Sequence, residues 1–471
     1  MPNMFSTMRS AATALDALQK AASASQNNVA NASTPGYAKQ RVLITAMPYD
    51  PGQQLSGGVE VTRMVTTRDE FAEQAVRDQT SALGSAGEKA AQMSFLEGNF
   101  ALDDATGIAA RMDDLFTTFN SWAIAPLSVS EKTSVISAAQ NVAEAFRTTA
   151  ESLQESARSS EVRIQSTFDR IDDIAERIRS HNVEVRVNGK TEAGSEATVH
   201  SDLEELAQYV DFQTLWQNDG TVTVLIGRQT ALVTGDQKFQ FRVSPDPAAP
   251  LAGLSGATPK LQIIDHTGAD VTATMKSGQL GALFEFRNST IPDLAGSVTQ
   301  AGDLNRLASG FADRINQIVT GGDPNAVKLF TYSSLGSAAQ SMQVPAGMTT
   351  SILSAADPSA LPASANGKAL QLAALAHPGS AQDEIDGLSY VSFFGNVSAG
   401  VGRLSREADQ ALISHQQLHA QALSVREEIS GISLDEEAVS LVAIQRTYEA
   451  TSRMIAAIDE MTKIAVNLGR N

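Results

Sequence analysis

The sequence predicts a mainly α-helical chain with an inserted β-rich domain, in which both chain ends supply helices to a long coiled-coil or bundle body. Three observations carry this. Near both ends apolar residues recur in alternating steps of four and three, at Met4, Met8, Ala11, Leu15, Leu18, Ala22, Ser25 and Val29 and again at Leu441, Ile444, Tyr448, Thr451, Ile455, Ile458, Met461, Ala465 and Leu468. No Gly or Pro interrupts the chain from Leu127 to Asn188. After about Ser201 the period switches to short runs such as TVTVLIG, KFQFRV, KLQIID and ADVTATM, separated by Gly, Pro and Asp, as strands and turns require.

Taken in order, the first helix has a thin seam of Ala and Ser, so it needs the C-terminal helix or a neighbouring subunit to hold it. It runs into NNVANASTPGYAKQRV, where Asn27 and Asn31 share a helix face with Asn28 beside them. Uncharged amides suit a packed contact, because burying them avoids the desolvation cost of an ion. Thr34-Pro35-Gly36-Tyr37 places Pro and Gly where a type II turn wants them, so the chain reverses there. A long helix follows from Ala72 to Phe100, weakened at Gly84 and Gly87 by about 1 kcal/mol each, and a shorter one surrounds Ile108, Met112, Leu115, Phe119 and Trp122. The stripe Val135, Ala138, Val142, Phe146, Thr149 and Leu153, resumed at Ile164, predicts a rod or two helices in line. Beyond the strands, helix is expected from Leu280 to Val319, a Gly, Ala, Ser and Pro-rich connector from Gly321 to Pro378, and a last heptad helix through Val397, Val401, Leu404, Ala408, Ala411, His415, Leu418, Ala422, Val425 and Ile429. Ser433 with Glu436 reads as a capping box for the C-terminal helix. The resulting division pairs 1–58 with 432–471 as terminal helices, and 59–202 with 279–320 and 380–431 as a helical bundle. Residues 203–278 form the β-rich domain and 321–379 the irregular connector.

Composition narrows the chemistry. The 471 residues carry a net charge of −18 with no offsetting basic run, which argues against a nucleic-acid partner. The chain has no cysteine, hence no disulfide, thiolate or soft-metal site. No apolar run approaches the ~20 residues of a membrane span, and no signal-peptide pattern opens the chain. The HQQLH stretch has metal-like spacing at His415 and His419, but Gln416 stands where a zincin needs its Glu base, and His415 falls on the helix seam. We therefore expect no metal, no cofactor and no catalytic residues.

The chain resembles the axial proteins of the bacterial flagellum. The N-terminal match is Asn27, Asn28, Ala30, Asn31, Thr34, Pro35, Gly36 and Tyr37, and the C-terminal match is QRTYEATSRMIAAIDEMTKIAVNLG, Gln445 to Gly469. Both motifs are shared by rod and hook proteins. The internal segments VEVTRMVTTRDEF, NDGTVTVLIG and GQLGALFEFRNSTIP are similar in order and spacing to the hook-filament junction members of that group. One departure is EATVHSDLEELAQYV, which replaces an Asp/Arg-rich stretch before the β domain; another is a shorter segment after Val319, which suggests a reduced outer domain.

The resemblance implies a structural protein joining hook to filament by self-assembly. Its partners would be copies of itself in a ring, the hook protein, a second junction protein with the filament, and an export chaperone. It also implies an extracellular flagellar location, export by the flagellar type III apparatus without a cleaved signal, and terminal helices that order on assembly. The expected subunit-interface residues are Met4, Met8, Leu15, Leu18, Asn27, Asn28, Asn31, Pro35, Gly36, Tyr37, Leu441, Ile444, Tyr448, Ile455, Ile458, Ala465 and Leu468. The alternatives are a hook or rod axial protein and, more remotely, a coiled-coil adaptor outside the flagellum or a helical zinc enzyme.

Overall fold

The computed structural model describes residues 2–47, 49–50, 55–56, 58–102, 105–188, 193–248, 250, 258–333, 337–359 and 364–468. The chain begins with α1 (Pro2–Ala30), then β1 (Gln40–Ala46), β2 (Tyr49–Asp50), β3 (Leu55–Ser56) and β4 (Val59–Thr66). Four helices follow, α2 (Glu70–Asn99), α3 (Ile108–Ile124), α4 (Val129–Asn188) and α5 (Ala193–Tyr209). Next come β5 (Phe212–Trp216), β6 (Val222–Ile226), β7 (Thr230–Thr234), β8 (Gln237–Lys238), β9 (Arg242–Pro245) and β10 (Leu261–Ile264). The remainder is helical: α6 (Gly278–Glu285), α7 (Ile291–Ala295), α8 (Asp303–Thr320), α9 (Ala338–Ser341), α10 (Gly367–Ala374), α11 (Tyr390–Ser430) and α12 (Leu434–Leu468).

Helix α4 is the spine. Its 60 residues rise about 90 Å at 1.5 Å each and serve two cores. The first half packs Phe146 and Leu153 with Phe119 and Trp122 of α3, Phe311 of α8, and Tyr390 and Phe394 of α11. Phe311 is its centre, edge-on to Tyr390 at 5.3 Å and to Phe116 at 6.0 Å. The second half puts Ile164, Ile171, Ile174 and Ile178 against Leu203 and Leu206 of α5 and against Val222, Val224 and Ile226 of the antiparallel sheet β5-β6-β7-β8. Asn182 ties that sheet to α4, taking the Val222 N–H at 2.8 Å and donating to the Val222 carbonyl at 2.8 Å.

Helices α2 and α11 run antiparallel. Ser430 donates to the Thr67 carbonyl at one end, and Phe394 stacks on Phe100 at the other. Gly84, which weakens α2 on propensity grounds, lets α5 approach: a Cβ there would lie 2.2 Å from the Gln208 carbonyl oxygen.

Three expectations are corrected. The strands of the inserted β-rich domain begin at Phe212 rather than near Leu203, because Leu203, Leu206 and Ala207 keep helical spacing and bury one face of α5. ADVTATM is a 3-10 turn over Thr272–Thr274, because the Asp270 carboxylate takes the Thr272 N–H and the Thr272 hydroxyl takes the Ile263 N–H of β10. The helix expected over 280–319 is three pieces, joined by a π-helical turn at Phe286–Thr290 and broken where Gly296 and Gly302 take φ of +88° and +76°. That π turn turns Arg287 onto Glu161 of α4, and Asn288 onto the backbone of Leu261. The stretch 321–379 is largely irregular, yet it feeds Leu329, Phe330, Met342 and Leu353 into the first core.

Candidate assembly surface and its joint

The terminal elements form a layer of their own, in which α1 packs on α12 and on the ribbon made by β1 and β4. The contact is built from small residues. Ala11, Ala17, Ala24, Ser25 and Asn28 are buried on α1; Ala11 and Ser25 belong to the expected stripe, whereas its Leu15, Leu18 and Ala22 are half-buried and its Met8 and Val29 are exposed. Helix α1 serves two neighbours, α12 and the ribbon, and small side chains let the three backbones approach closely. On α12, Ile458 is buried, and Leu441, Ile444, Ile455 and Ala465 are half-buried. Tyr448 is exposed. The side chains of Met4 and Leu468 lie outside the described residues, although both positions are helical.

The amide-rich stretch is a joint. Asn28, 1% exposed, accepts from the Gln40 N–H at 2.8 Å and donates to the Gln40 carbonyl at 3.0 Å, so it splices the end of α1 to the start of β1 as a strand partner would. Tyr37 donates to the same Asn28 oxygen at 3.4 Å. Asn31 bonds back to the Asn27 carbonyl through both its backbone N–H and its side chain, closing the helix. Asn27 and Pro35 are exposed. The turn is type II as expected: Tyr37 N–H reaches the Thr34 carbonyl at 3.2 Å, and Gly36 has φ of +73°. Gly36 also presses on α5, where a Cβ would stand 2.3 Å from the Ala197 oxygen.

Two charge clusters fasten this joint, and neither has a local sequence signal. In the first, Arg68 donates to the Gly36 carbonyl at 2.6 Å, to Glu73 of α2 at 2.6 Å and to Glu196 of α5 at 3.2 Å. Arg426 of α11 joins it by bonding Glu204 at 2.6 Å and Glu73 at 3.4 Å. His200, close to these arginines, is pushed down to about 2 by burial and by the charges of Arg68 and Arg77, so it stays neutral and stacks on Trp216. In the second cluster Glu437 of α12 receives the Ser25 hydroxyl and lies 3.1 Å from the Lys39 ammonium. Burial alone would raise the Glu437 carboxyl, but the bonds from Ser25, Lys39 and Asn28 outweigh it and hold it below its ordinary value. The expected capping box is half made: Ser433 accepts the Glu436 N–H at 3.3 Å, whereas the Glu436 carboxylate turns outward to Lys39.

A row of apolar side chains stays exposed along the two last helices: Leu404, Leu418, Val425 and Ile429 on α11, then Val439, Val442, Met454, Met461 and Ile464 on α12. Of the stripe expected on α11, Val401 and Ala408 face the body and the others just named face outward. Among the described residues no group of three or more His, Cys, Asp or Glu side chains is placed to hold a metal, and no helix is long and apolar enough to cross a membrane.

Residues 93–326 match the family model for the helical domain of flagellar hook-associated protein FlgK, and residues 424–468 match that for the C-terminal region of the FlgEFG basal body rod proteins. Flagellar hook-associated protein 1 of Bacillus subtilis is 24% identical over 504 residues, spanning 99% of both chains. The chain belongs to the flagellar hook-associated protein 1 family. The Salmonella typhimurium member is 22% identical over 71% of this chain and 60% of its own length. The flagellar hook junction protein FlgK of Burkholderia pseudomallei superposes with a TM-score of 0.45 at 19% identity, over 55% of this chain and 46% of the other. Membership of the hook-associated protein 1 family makes this chain a structural component of the flagellum.

Proposed function

We propose that the chain is the subunit that joins the flagellar hook to the filament, assembling with copies of itself through its terminal layer. The observation that carries this is the uncovered apolar row on α11 and α12: helices of 41 and 35 residues expose large aliphatic side chains along their length. Exposed apolar rows of that extent mark surfaces that another chain covers. The interface residues on this reading are the exposed row together with those foreseen from the sequence, from Met4, Met8, Leu15 and Leu18 through the Asn27 to Tyr37 joint to Leu441, Ile444, Tyr448, Ile455, Ile458, Ala465 and Leu468. The hook protein, a second junction protein and the filament are the axial neighbours. A type III export chaperone covers the row before assembly. The subunit lies outside the cell, exported without a cleaved signal. It is not an enzyme.

The test is a strain carrying Ile455→Asp. Ile455 is half-buried on the stripe, and a charge in an apolar seam costs several kcal/mol when unpaired. The variant is expected to be exported yet to release filament protein into the medium, while Glu449→Gln, on the exposed face, is silent. Normal filaments and swimming with Ile455→Asp would refute the reading. The match of 424–468 to rod proteins favours a rod or hook role as the second reading. Electron microscopy of a deletion strain separates them, because loss of a junction protein leaves hooks without filaments, whereas loss of a rod or hook protein removes the hooks.

A further inference from the structure

The layer of α1, the β1-β4 ribbon and α12 has its packing within itself. It meets the helical body at the turn 34–37 and where the chain crosses at 67–69 and 431–433. Backbone bonds run across the crossings, Thr67 N–H to the Lys39 carbonyl at 2.8 Å and Lys39 N–H to the Ser430 carbonyl at 3.2 Å. One side chain reaches both sides at once. Arg68 is 6% exposed and holds acceptors on three separate elements: the Gly36 carbonyl in the turn, Glu73 on α2 and Glu196 on α5. A guanidinium has donors in a fixed fork, so three acceptors in three directions define an orientation, where an apolar contact would allow sliding.

We propose that Arg68 is the clamp that fixes the angle of the terminal layer against the helical body, and that breaking it frees the ribbon to swing as a unit. Without the guanidinium, Gly36 loses its tie to α2, and among the described residues Glu73 keeps its ion pair with Arg426 while Glu196 has no other ion pair. The two chain crossings then act as a hinge. The body keeps its own cores, neither of which includes Arg68. Its importance for assembly rests on the junction reading above, since the layer's angle sets the direction in which the row on α12 is offered to neighbours.

The chain's lack of cysteine makes the test direct. Spin labels on Arg63→Cys in the ribbon and Glu155→Cys on α4 report the angle by pulsed dipolar spectroscopy of the full chain. A pair on Glu155→Cys and Asp409→Cys reports the body alone. The parent is expected to give one narrow Arg63–Glu155 distribution, and Arg68→Met to broaden it at least twofold while the body pair keeps its width. Arg68→Lys, whose single ammonium cannot reach three acceptors, falls between. A distribution as narrow with Arg68→Met as without it overturns the clamp, and so does equal broadening of both pairs, which would make Arg68 a general stabiliser. These distances are read on the soluble chain, so they stand or fall independently of the strain phenotypes that test the junction role.

Discussion

The helical body and the terminal layer solve the same packing problem with opposite materials. The body gathers Trp122, Phe119, Phe146, Phe311, Phe330 and Tyr390 into complete burial, whereas the layer closes on Ala11, Ala17, Ala24 and Ser25. Burial stabilises at about 25 cal/mol per Å² of apolar surface, so an alanine seam contributes little against the ordering of two helices of 29 and 35 residues. What the layer lacks in area it makes up in specified polar contacts, Asn28 with Gln40 and Ser25 with Glu437 and Lys39. The body is thus built to fold by itself, and the layer to be completed by neighbours.

Substitutions can break that contrast. The largest effect is expected from Phe311→Ala, which opens a cavity at the centre of the first core and costs about 3–5 kcal/mol in thermal unfolding of the purified chain. Ile458→Ala in the layer should move the same transition little. If the two shifts are equal, the layer belongs to the body's cooperative unit. Next is Asn28→Ala. It strips the Gln40 N–H and carbonyl of their buried partner, a loss of about 1–3 kcal/mol that should appear as faster amide exchange at Gln40 with an unchanged body melt.

A pH series sharpens the contrast further. Glu437 is held below its ordinary value of 4.5, so the unfolded chain takes up its proton first as pH falls. The stability from the Ser25, Lys39 and Glu437 cluster is therefore fully present above 4.5 and is lost as pH drops through the depressed value. The protection of the 25–28 amides, taken relative to their intrinsic exchange rate at each pH, should fall below 4.5 in the parent, and Glu437→Gln should remove that step. The smallest effect is that of Met461→Ser. Its side chain is exposed, so the monomer melt should stay within about 0.5 kcal/mol, and only incorporation into flagella should suffer.

Local patterns in the sequence were enough for helices, strands and the turn. The gap-free run from 127 to 188 gave α4, the alternation in TVTVLIG gave β6, and Pro35-Gly36 gave the reversal. The joint's fastening was not legible. Arg68 sits beside Thr67 and Asp69 with no spacing that marks it, and its partners Gly36, Glu73 and Glu196 span much of the N-terminal half. Asn28 was visible as an unusual amide, but its use as a substitute strand partner depends on where β1 lands. Four of the ten positions on the α11 stripe, Leu404, Leu418, Val425 and Ile429, turn outward, because periodicity marks an apolar row without saying whether this chain or the next one covers it.

The contrast itself is tested most directly by hydrogen exchange on the purified monomer at low concentration and on the same protein incorporated into flagella. The account predicts that amides of α1 and α12 are less protected in the monomer than those of α3, α4 and α8, and that incorporation raises their protection to the level of the body helices. Terminal helices as protected in the dilute monomer as the body helices would contradict it, since the layer would then be complete without its neighbours.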